Sequence, residues 1–206
     1  MGGGRDYPFF RRTRGFALSA RNWFKRRTLN RLPLLIGIDT IRHMKPRVYI
    51  ETTIPSYLTA RPSRDLVRAA HQQATRDWWE RSRGGFEAVI SQLVLDECGA
   101  GDPAASTARL EALADLPLLA ATEATIALAR ALIDGVPLPA RARADAAHLA
   151  TAAVNGIEYP LTWNCRHLAN AALRRRTESI CRGGGYAPPV ICTPEELSQE
   201  ARDGRR

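Results

Sequence analysis

Long apolar runs and closely spaced cysteines are both missing from this 206-residue sequence. No stretch approaches the roughly 20 apolar residues that a membrane-spanning helix needs, so we expect no contact with a membrane. The four cysteines (Cys98, Cys165, Cys181, Cys192) lie far apart and form no C-x-x-C pair. This pattern argues against a disulfide framework and gives no support to a zinc site, so we expect reduced thiols and a cytoplasmic location.

Glycine-rich loops of the kind that bind phosphate in nucleotide-binding proteins are also absent. The sequence has no Gly-x-Gly-x-x-Gly motif and no Gly-Lys-Ser or Gly-Lys-Thr loop, and no Asp-x-Asp motif follows a predicted strand. The glycine triplet at residues 183–185 follows a predicted helix and precedes two prolines, which is typical of a chain reversal. These absences argue against a nucleotide-binding domain and against a small-molecule phosphohydrolase.

The positive charge is distributed unevenly along the chain. Residues 1–43 contain ten lysines and arginines but only two acidic residues, whereas the remainder contains twenty basic and nineteen acidic residues. The net charge of +9 therefore does not predict a nucleic-acid-binding face on the domain that follows.

Residues 1–44 have two interpretations. They are either a disordered basic arm that contacts nucleic acid, or a stretch outside the native product, with translation beginning at Met44. We favour the second, because Met44 is the only internal methionine and stands just before the first clear strand. Arg11 and Arg12 resemble a twin-arginine export signal, but more basic residues follow where an apolar region is required, so we expect no export.

The most informative stretch is residues 48–56, where a short buried-strand pattern is followed at once by Glu51, Thr52 and a proline that we expect to stop any regular element. In an open α/β sheet, ligands bind in the crevice at the carboxyl ends of the strands, so Glu51 is placed to take part in a site. Asp39 also follows an apolar run, but only a few residues separate it from the next strand.

The rest of the chain alternates predicted strands and helices. The strands fall at residues 86–90, 116–120, 159–162 and 190–192, and the helices at 65–81, 92–98, 102–113, 122–133, 140–154, 168–180 and after 194, with caps at Ser63, Ser91, Thr122 and Thr193. With the strand before Glu51, this predicts an α/β sandwich around a mainly parallel sheet of five strands. We assign the domain to residues 45–198 and expect a frayed polar tail at 199–206.

Further polar residues stand near other strand ends. Asp96 and Glu97 are neighbours on a helix and point about 100° apart, so we expect one of them to be solvated. Asp145 lies on an alanine-rich helix that we predict to be buried, and a buried acid requires a partner or a cation. His148, three residues later, lies on the same side, and we interpret it as a packed histidine bonded to the backbone or, less favoured, as a contact of the site. Asn164 follows the fourth strand.

Carboxylates gathered without a basic partner beside each one favour Mg²⁺ or Mn²⁺. Such ions generate a hydroxide from bound water and neutralise charge on a phosphate during in-line displacement. The spacing alone is weak support, because the chain has 21 acidic residues from which to choose.

Four segments together resemble the motif regions of PIN domains, in the right order and at suitable spacing, with the closest similarity to the bacterial VapC-like toxins. They are residues 48–53 (VYIETT), 91–97 (SQLVLDE), 144–150 (ADAAHLA) and 161–167 (LTWNCRH). The resemblance covers roughly residues 45–197. It implies a three-layer α/β/α fold with a five-stranded parallel sheet and Mg²⁺- or Mn²⁺-dependent cleavage of RNA. It also implies a cognate antitoxin protein and frequent homodimers.

Carried over by position, the resemblance makes Glu51, Glu97 and Asp145 the first three acidic sites, and they would hold the metal ion. Asn164 would stand at the fourth, catalytic with the other three, in a Thr-x-Asn pattern that begins at Thr162. Two departures matter: the first acid is commonly Asp in that family, and Asn164 is neutral. We therefore expect one firmly bound ion and a second that arrives with the substrate phosphate.

Other residues near these motifs are candidates for binding RNA. Thr52 and Thr162 are expected to hydrogen-bond the attacking water or the scissile phosphate. Arg143, Arg166 and His167 are candidates for contacts to the RNA backbone, although each is also explained as a solvated or structural side chain. A different class of function remains open, namely a PIN-like module that binds RNA or a protein without cleaving.

Overall fold

The structure is a computed structural model that describes residues 45–136, 143–166, 168 and 170–203, the last five of these in backbone only. The basic segment 1–44, His167 and residues 204–206 lie outside the described residues, so the two interpretations of residues 1–44 stay predictions.

The described chain alternates strands and helices throughout. In order, the elements are β1 (Arg47–Ile50), α1 (Thr53–Thr59), α2 (Leu66–Asp77), β2 (Glu87–Ser91), α3 (Gln92–Cys98), α4 (Pro103–Leu113), β3 (Leu118–Leu119), α5 (Glu123–Gly135), α6 (Arg143–Val154), β4 (Tyr159–Leu161), α7 (Ala171–Gly183) and α8 (Pro194–Asp203). A π-helical turn (Trp78–Ser82) and a 3-10 turn (Arg83–Gly85) extend α2 up to the glycine pair predicted to end it.

The strands form one parallel sheet in the order β3-β2-β1-β4, so the predicted α/β class is confirmed. β1 lies inside the sheet, with Val48 paired to Ala88 of β2 on one side and to Tyr159 of β4 on the other. Val48, Tyr49 and Ile50 are all fully buried. A parallel strand covered on both faces needs this continuous apolar run, which is why the pattern was readable from the sequence.

The prediction of a fifth strand at residues 190–192 is wrong, because the sheet has four strands and Cys192 makes only an isolated parallel bridge to Leu161. The amides of Val190 and Cys192 do donate to Glu158 and Pro160 at the edge of β4, at 2.8 and 3.0 Å. Two prolines precede this segment and Pro194 begins α8 directly after it. Proline has no N–H to donate, so the prolines on either side of this segment cannot extend its pairing with β4. The segment is therefore too short to form a strand.

Two local predictions about helix ends are also wrong. Pro55 does not stop the chain after Glu51, because it lies in the first turn of α1, where a backbone N–H has no helical partner to lose. The N-cap of α2 is Asp65, whose carboxylate accepts a hydrogen bond from the amide of Arg68, and Ser63 instead accepts from the amide of Asp65. The predicted caps Thr122 and Thr193 stand directly before α5 and α8, and α8 continues to Asp203.

Two apolar clusters hold the fold together. The first surrounds the sheet and includes Trp78, which is fully buried. The second joins α5, α6 and α7, and α6 is buried at every position from Ala146 to Ala153. The predicted burial of α6 is therefore confirmed. Within the described residues, none of the helices has both the length and the apolar character needed to cross a bilayer.

Candidate metal centre

The candidate site lies at the carboxyl ends of β1 and β4. Glu51 directly follows β1, and Thr162 directly follows β4, its neighbour in the sheet. The chain leaves β1 toward β2 on one side, while β4 lies on the other, so this is the point where strand order reverses. Open α/β sheets bind ligands in the crevice at such a point.

Glu51 is held by hydrogen bonds to one of its two carboxylate oxygens. Oε2 accepts from the amide of Thr53 at 3.0 Å, from the hydroxyl of Thr53, and from the hydroxyl of Thr162 at 2.8 Å. Glu51 is only 5 % exposed, yet Oε1 receives no hydrogen bond from the described residues. With Oε2 held by three hydrogen bonds, Oε1 is the oxygen that the described residues leave available to a cation.

The two threonines that hold Glu51 are themselves fixed by the chain after β4. The hydroxyl of Thr53 accepts from the amide of Trp163 at 2.9 Å, and the hydroxyl of Thr162 accepts from the amide of Asn164 at 2.9 Å. Each hydroxyl thus accepts one backbone hydrogen bond and donates its proton to Glu51. This directionality leaves neither hydroxyl proton able to rotate away from the carboxylate.

Glu97 approaches the same site from α3. Its Oε2 accepts a hydrogen bond from the hydroxyl of Thr52 and lies 3.0 Å from Nε2 of His148. Asp96, the preceding residue, is exposed and accepts from the side chain of Gln92 at 2.8 Å. The prediction that one of the two acids is solvated is therefore confirmed, with Glu97 as the acid that faces the site.

His148 is 2 % exposed and reaches the site from α6. Its Nδ1 lies 2.7 Å from the hydroxyl of Tyr49, and that hydroxyl lies 2.7 Å from Oγ of Ser91. The favoured interpretation of a histidine bonded to the backbone is wrong, because both ring nitrogens contact side chains. Ser91 stands at the N-cap of α3 but makes no side-chain cap hydrogen bond. Its hydroxyl is engaged by Tyr49 instead.

The electrostatics of this pair favour the charged forms. Burial raises the pKa of Glu97, but the hydrogen bond and charge of His148 and the hydroxyl of Thr52 outweigh it, so the net shift is downward. Burial lowers the pKa of His148, but the Glu97 hydrogen bond and the charges of Glu51, Glu97 and Asp145 outweigh it and raise the pKa overall. Each member of the pair thus favours the charged form of the other.

The arrangement brings three ligand-type side chains together. Ligand atoms of Glu51, Glu97 and His148 all lie within 4.8 Å of one another. Two carboxylate oxygens and an imidazole nitrogen are a donor set that divalent first-row metals accept, so the residues fit a metal ion. The predicted convergence of Glu51 and Glu97 agrees with this geometry.

Asp145 is not a member of this three-residue group. Its Oδ1 accepts a hydrogen bond from the side-chain amide of Asn164 at 2.9 Å, and the backbone amide of Asn164 donates to Thr162. Asp145 is therefore connected to Glu51 through Asn164 and Thr162. The prediction that Asp145 binds the metal ion directly or through a water stays a prediction.

The remaining predicted residues differ in how they relate to the site. Thr52 and Thr162 use their hydroxyls to hold Glu97 and Glu51, and their contact with substrate stays a prediction. Arg143 and Arg166 are exposed, and His167 lies outside the described residues.

Sequence reasoning missed three side chains that build the site. Thr53 follows Thr52 directly after Glu51, and the sequence does not show which of the two hydroxyls contacts that acid. Tyr49 is a strand interior residue, and nothing in a buried apolar strand marks one hydroxyl as part of a polar network. Ser91 had a simpler explanation as a helix cap. In the structure Tyr49 contacts Ser91 and His148, and Thr53 contacts Glu51 and the amide of Trp163.

No protein-family model matches the chain, and no curated protein matches its sequence.

Proposed function

We propose that this protein is a divalent-metal-dependent endoribonuclease that hydrolyses phosphodiester bonds in RNA. The observation that carries the proposal is the convergence of Glu51, Glu97 and His148 at the carboxyl end of the parallel sheet, with ligand atoms within 4.8 Å. The choice of RNA as substrate depends on the resemblance of the four sequence segments to PIN domains, which surround this same site.

The residues of the site divide the work among them. A divalent cation bound here supplies charge neutralisation at the phosphate and an activated water. Oε1 of Glu51 and the carboxylate of Glu97 hold the cation, and the hydroxyls of Thr53, Thr162 and Thr52 keep those carboxylates in place. Because Thr53 and Thr162 accept hydrogen bonds from the backbone after β4, the carboxylate of Glu51 needs little rearrangement on binding.

Asp145 and Asn164 form the second part of the proposed site. Their side chains are joined by a 2.9 Å hydrogen bond from Nδ2 of Asn164 to Oδ1 of Asp145. We assign this pair the orientation of the attacking water, with Asp145 contacting the cation directly or through a water. Arg143 and Arg166, which are exposed, and His167 are assigned contacts to the RNA backbone, where an arginine can pair with a phosphate.

The same resemblance extends the proposal to the biological setting. We propose that the protein is the toxin of a toxin–antitoxin pair, that a cognate antitoxin binds over the site, and that the protein forms a homodimer in the cytoplasm. We also assign the helices to two layers that enclose the four-stranded sheet. Co-expression with the neighbouring reading frame, followed by size-exclusion chromatography, tests the partner.

The enzymatic proposal is tested with end-labelled RNA and the full chain. We expect cleavage with Mn²⁺ or Mg²⁺, none in EDTA, and recovery when the metal is restored. Glu51→Gln removes one charge without changing the size of the side chain, and we expect the rate to fall about 100-fold or more. Cleavage that persists in EDTA, or an unchanged rate in Glu51→Gln at saturating metal, contradicts the proposal.

The competing hypothesis is a module that binds RNA without cleaving it. The same protein preparation distinguishes this binding module from a nuclease. Gel-shift measurements in EDTA report whether RNA is retained without metal. Retention of intact RNA in EDTA and in Mn²⁺ alike favours the binding module, whereas metal-dependent conversion to shorter products favours the nuclease.

A further inference from the structure

We infer that His148 is a direct metal ligand through Nε2, and that the site therefore binds Mn²⁺ in preference to Mg²⁺. The inference rests on the cation site of the proposed function but not on RNA cleavage. It differs from what the PIN-domain resemblance implies, in which the three ligands are Glu51, Glu97 and Asp145.

The geometry places the imidazole where a third ligand is needed. His148 is 2 % exposed, and its ligand atom lies within 4.8 Å of those of Glu51 and Glu97. The hydrogen bonds that Glu51 accepts from the described residues all go to Oε2, so Oε1 is available to a cation. Asp145 lies outside this group and is bonded to Asn164.

Tyr49 acts as a positioning residue for the imidazole. With Nδ1 protonated, the ring donates to the Tyr49 hydroxyl at 2.7 Å, and Tyr49 donates in turn to Ser91 at 2.7 Å. This chain fixes the ring orientation and directs Nε2 toward the two carboxylates. A histidine that ligates a metal nearly always donates its other N–H to such a partner, and losing the partner costs about 10- to 100-fold in affinity.

The donor set determines the selectivity. Mg²⁺ is a hard ion that prefers an octahedron of oxygen ligands and keeps several waters, whereas imidazole nitrogen suits first-row transition metals. Replacing an oxygen ligand by the nitrogen of His148 therefore disfavours Mg²⁺ relative to Mn²⁺. The alternative is that His148 only orients Glu97, through the 3.0 Å contact to its Oε2, and never binds the ion.

The test is a spectroscopic measurement on the full chain with Mn²⁺ as the probe. Pulsed electron paramagnetic resonance detects a directly bound imidazole through the nitrogen hyperfine coupling to Mn²⁺. We expect that coupling in the unmodified protein, and we expect Mn²⁺ to bind more tightly than Mg²⁺ in competition titrations. No nitrogen coupling in the Mn²⁺ complex, or equal affinity for the two ions, overturns the inference.

Two histidine variants identify which imidazole gives the nitrogen coupling, and a third variant tests the positioning role of Tyr49. His148→Gln is expected to abolish the coupling, and His71→Gln, which alters a histidine stacked on Trp163 outside the ligand group, is the matched control and is expected to keep it. Tyr49→Phe is expected to keep the coupling while weakening Mn²⁺ binding about tenfold. A coupling that survives in His148→Gln overturns the assignment, and the measurement on the unmodified protein decides the matter if that variant fails to fold.

The outcome is distinguishable from failure of the proposed function. A nitrogen-coupled Mn²⁺ site in a protein that leaves RNA intact contradicts the nuclease proposal and supports the role of His148. RNA cleavage that Mg²⁺ and Mn²⁺ support equally, with no nitrogen coupling, supports the nuclease proposal and contradicts the role of His148 as a ligand.

Discussion

Nε2 of His148 lies 3.0 Å from Oε2 of Glu97, so the buried imidazole and the acid of α3 form one electrostatic unit. The two residues are 51 positions apart in sequence and lie on α3 and α6, so only the fold brings them together. The pair joins an acid and a potential nitrogen ligand at the same point of the site.

This pair predicts how stability depends on pH in EDTA-treated protein. The pKa of His148 is raised above its ordinary 6.5. Its contribution to the free energy of unfolding is therefore complete below pH 6.5 and is lost as the pH rises through the pKa in the folded protein. The pKa of Glu97 is lowered from 4.5, so its contribution is complete above that pH and is lost as pH falls further. We expect the pair to stabilise most between about pH 4.5 and 6.5.

Urea denaturation at a series of pH values measures this effect. The free energy of unfolding is expected to fall above pH 6.5 in the unmodified protein and to fall less steeply in His148→Gln, which cannot titrate there. If the free energy of unfolding falls equally steeply in the two proteins above pH 6.5, the neighbouring carboxylates do not raise the pKa of His148.

Thr162→Val removes the hydroxyl that donates to Oε2 of Glu51 at 2.8 Å while keeping the shape of the side chain. It also removes the acceptor for the amide of Asn164. We expect the free energy of unfolding to fall by about 1–3 kcal/mol, because buried polar groups lose partners. We also expect weaker Mn²⁺ binding by isothermal titration. Thr107→Val, which alters a hydroxyl on the exposed face of α4, is the control and should change neither quantity.

Asn164→Asp places a second carboxylate beside Asp145, where Nδ2 of Asn164 now donates to Oδ1 at 2.9 Å. The lost hydrogen bond and the like charge are expected to destabilise the metal-free protein by about 1–3 kcal/mol. A divalent cation should restore more stability to this variant than to the unmodified protein, because the added charge favours cation binding. Thermal unfolding with and without Mn²⁺ measures both effects, and an unchanged metal response would place residue 164 away from the ion.

Thr75→Val tests the support beneath the loop that follows β4. Nε1 of Trp163 donates to the fully buried hydroxyl of Thr75 at 2.7 Å, and the substitution leaves that indole N–H without its acceptor. We expect a loss of about 1–3 kcal/mol in the free energy of unfolding, measured by urea denaturation. An unchanged midpoint would mean that this hydrogen bond is replaced by water and does not fix Trp163.

Part of this site was readable from the sequence because parallel strands end at one edge. An apolar run followed by Glu51 predicts where that acid lies once the sheet is recognised, and the 100° separation of Asp96 and Glu97 predicts that one of them turns away. Both inferences need only the period of an element and the direction of a strand. The sheet class follows from the same alternation of strands and helices.

The remaining contacts depend on packing that no local pattern encodes. The hydroxyl of Tyr49 meets His148 across 99 positions of sequence, and a strand pattern shows only that the tyrosine is buried. Whether Asp145 or His148 faces the carboxylates depends on the rotation of α6, and that helix is buried around its whole circumference, so it has no amphipathic signal to fix it. The short segment after Pro189 looks like a strand by composition, although too few residues remain to form one.

The central claim is tested most directly by comparing Glu97→Gln with Asp96→Asn in Mn²⁺-dependent cleavage of end-labelled RNA by the full chain. The two substitutions each remove one negative charge from adjacent residues of α3, but only Glu97 faces Glu51 and His148. We predict that Glu97→Gln lowers the cleavage rate about 100-fold or more, while Asp96→Asn cleaves at the unmodified rate. Equal rates for the two variants, or a larger loss in Asp96→Asn, would contradict a catalytic metal centre at this end of the sheet.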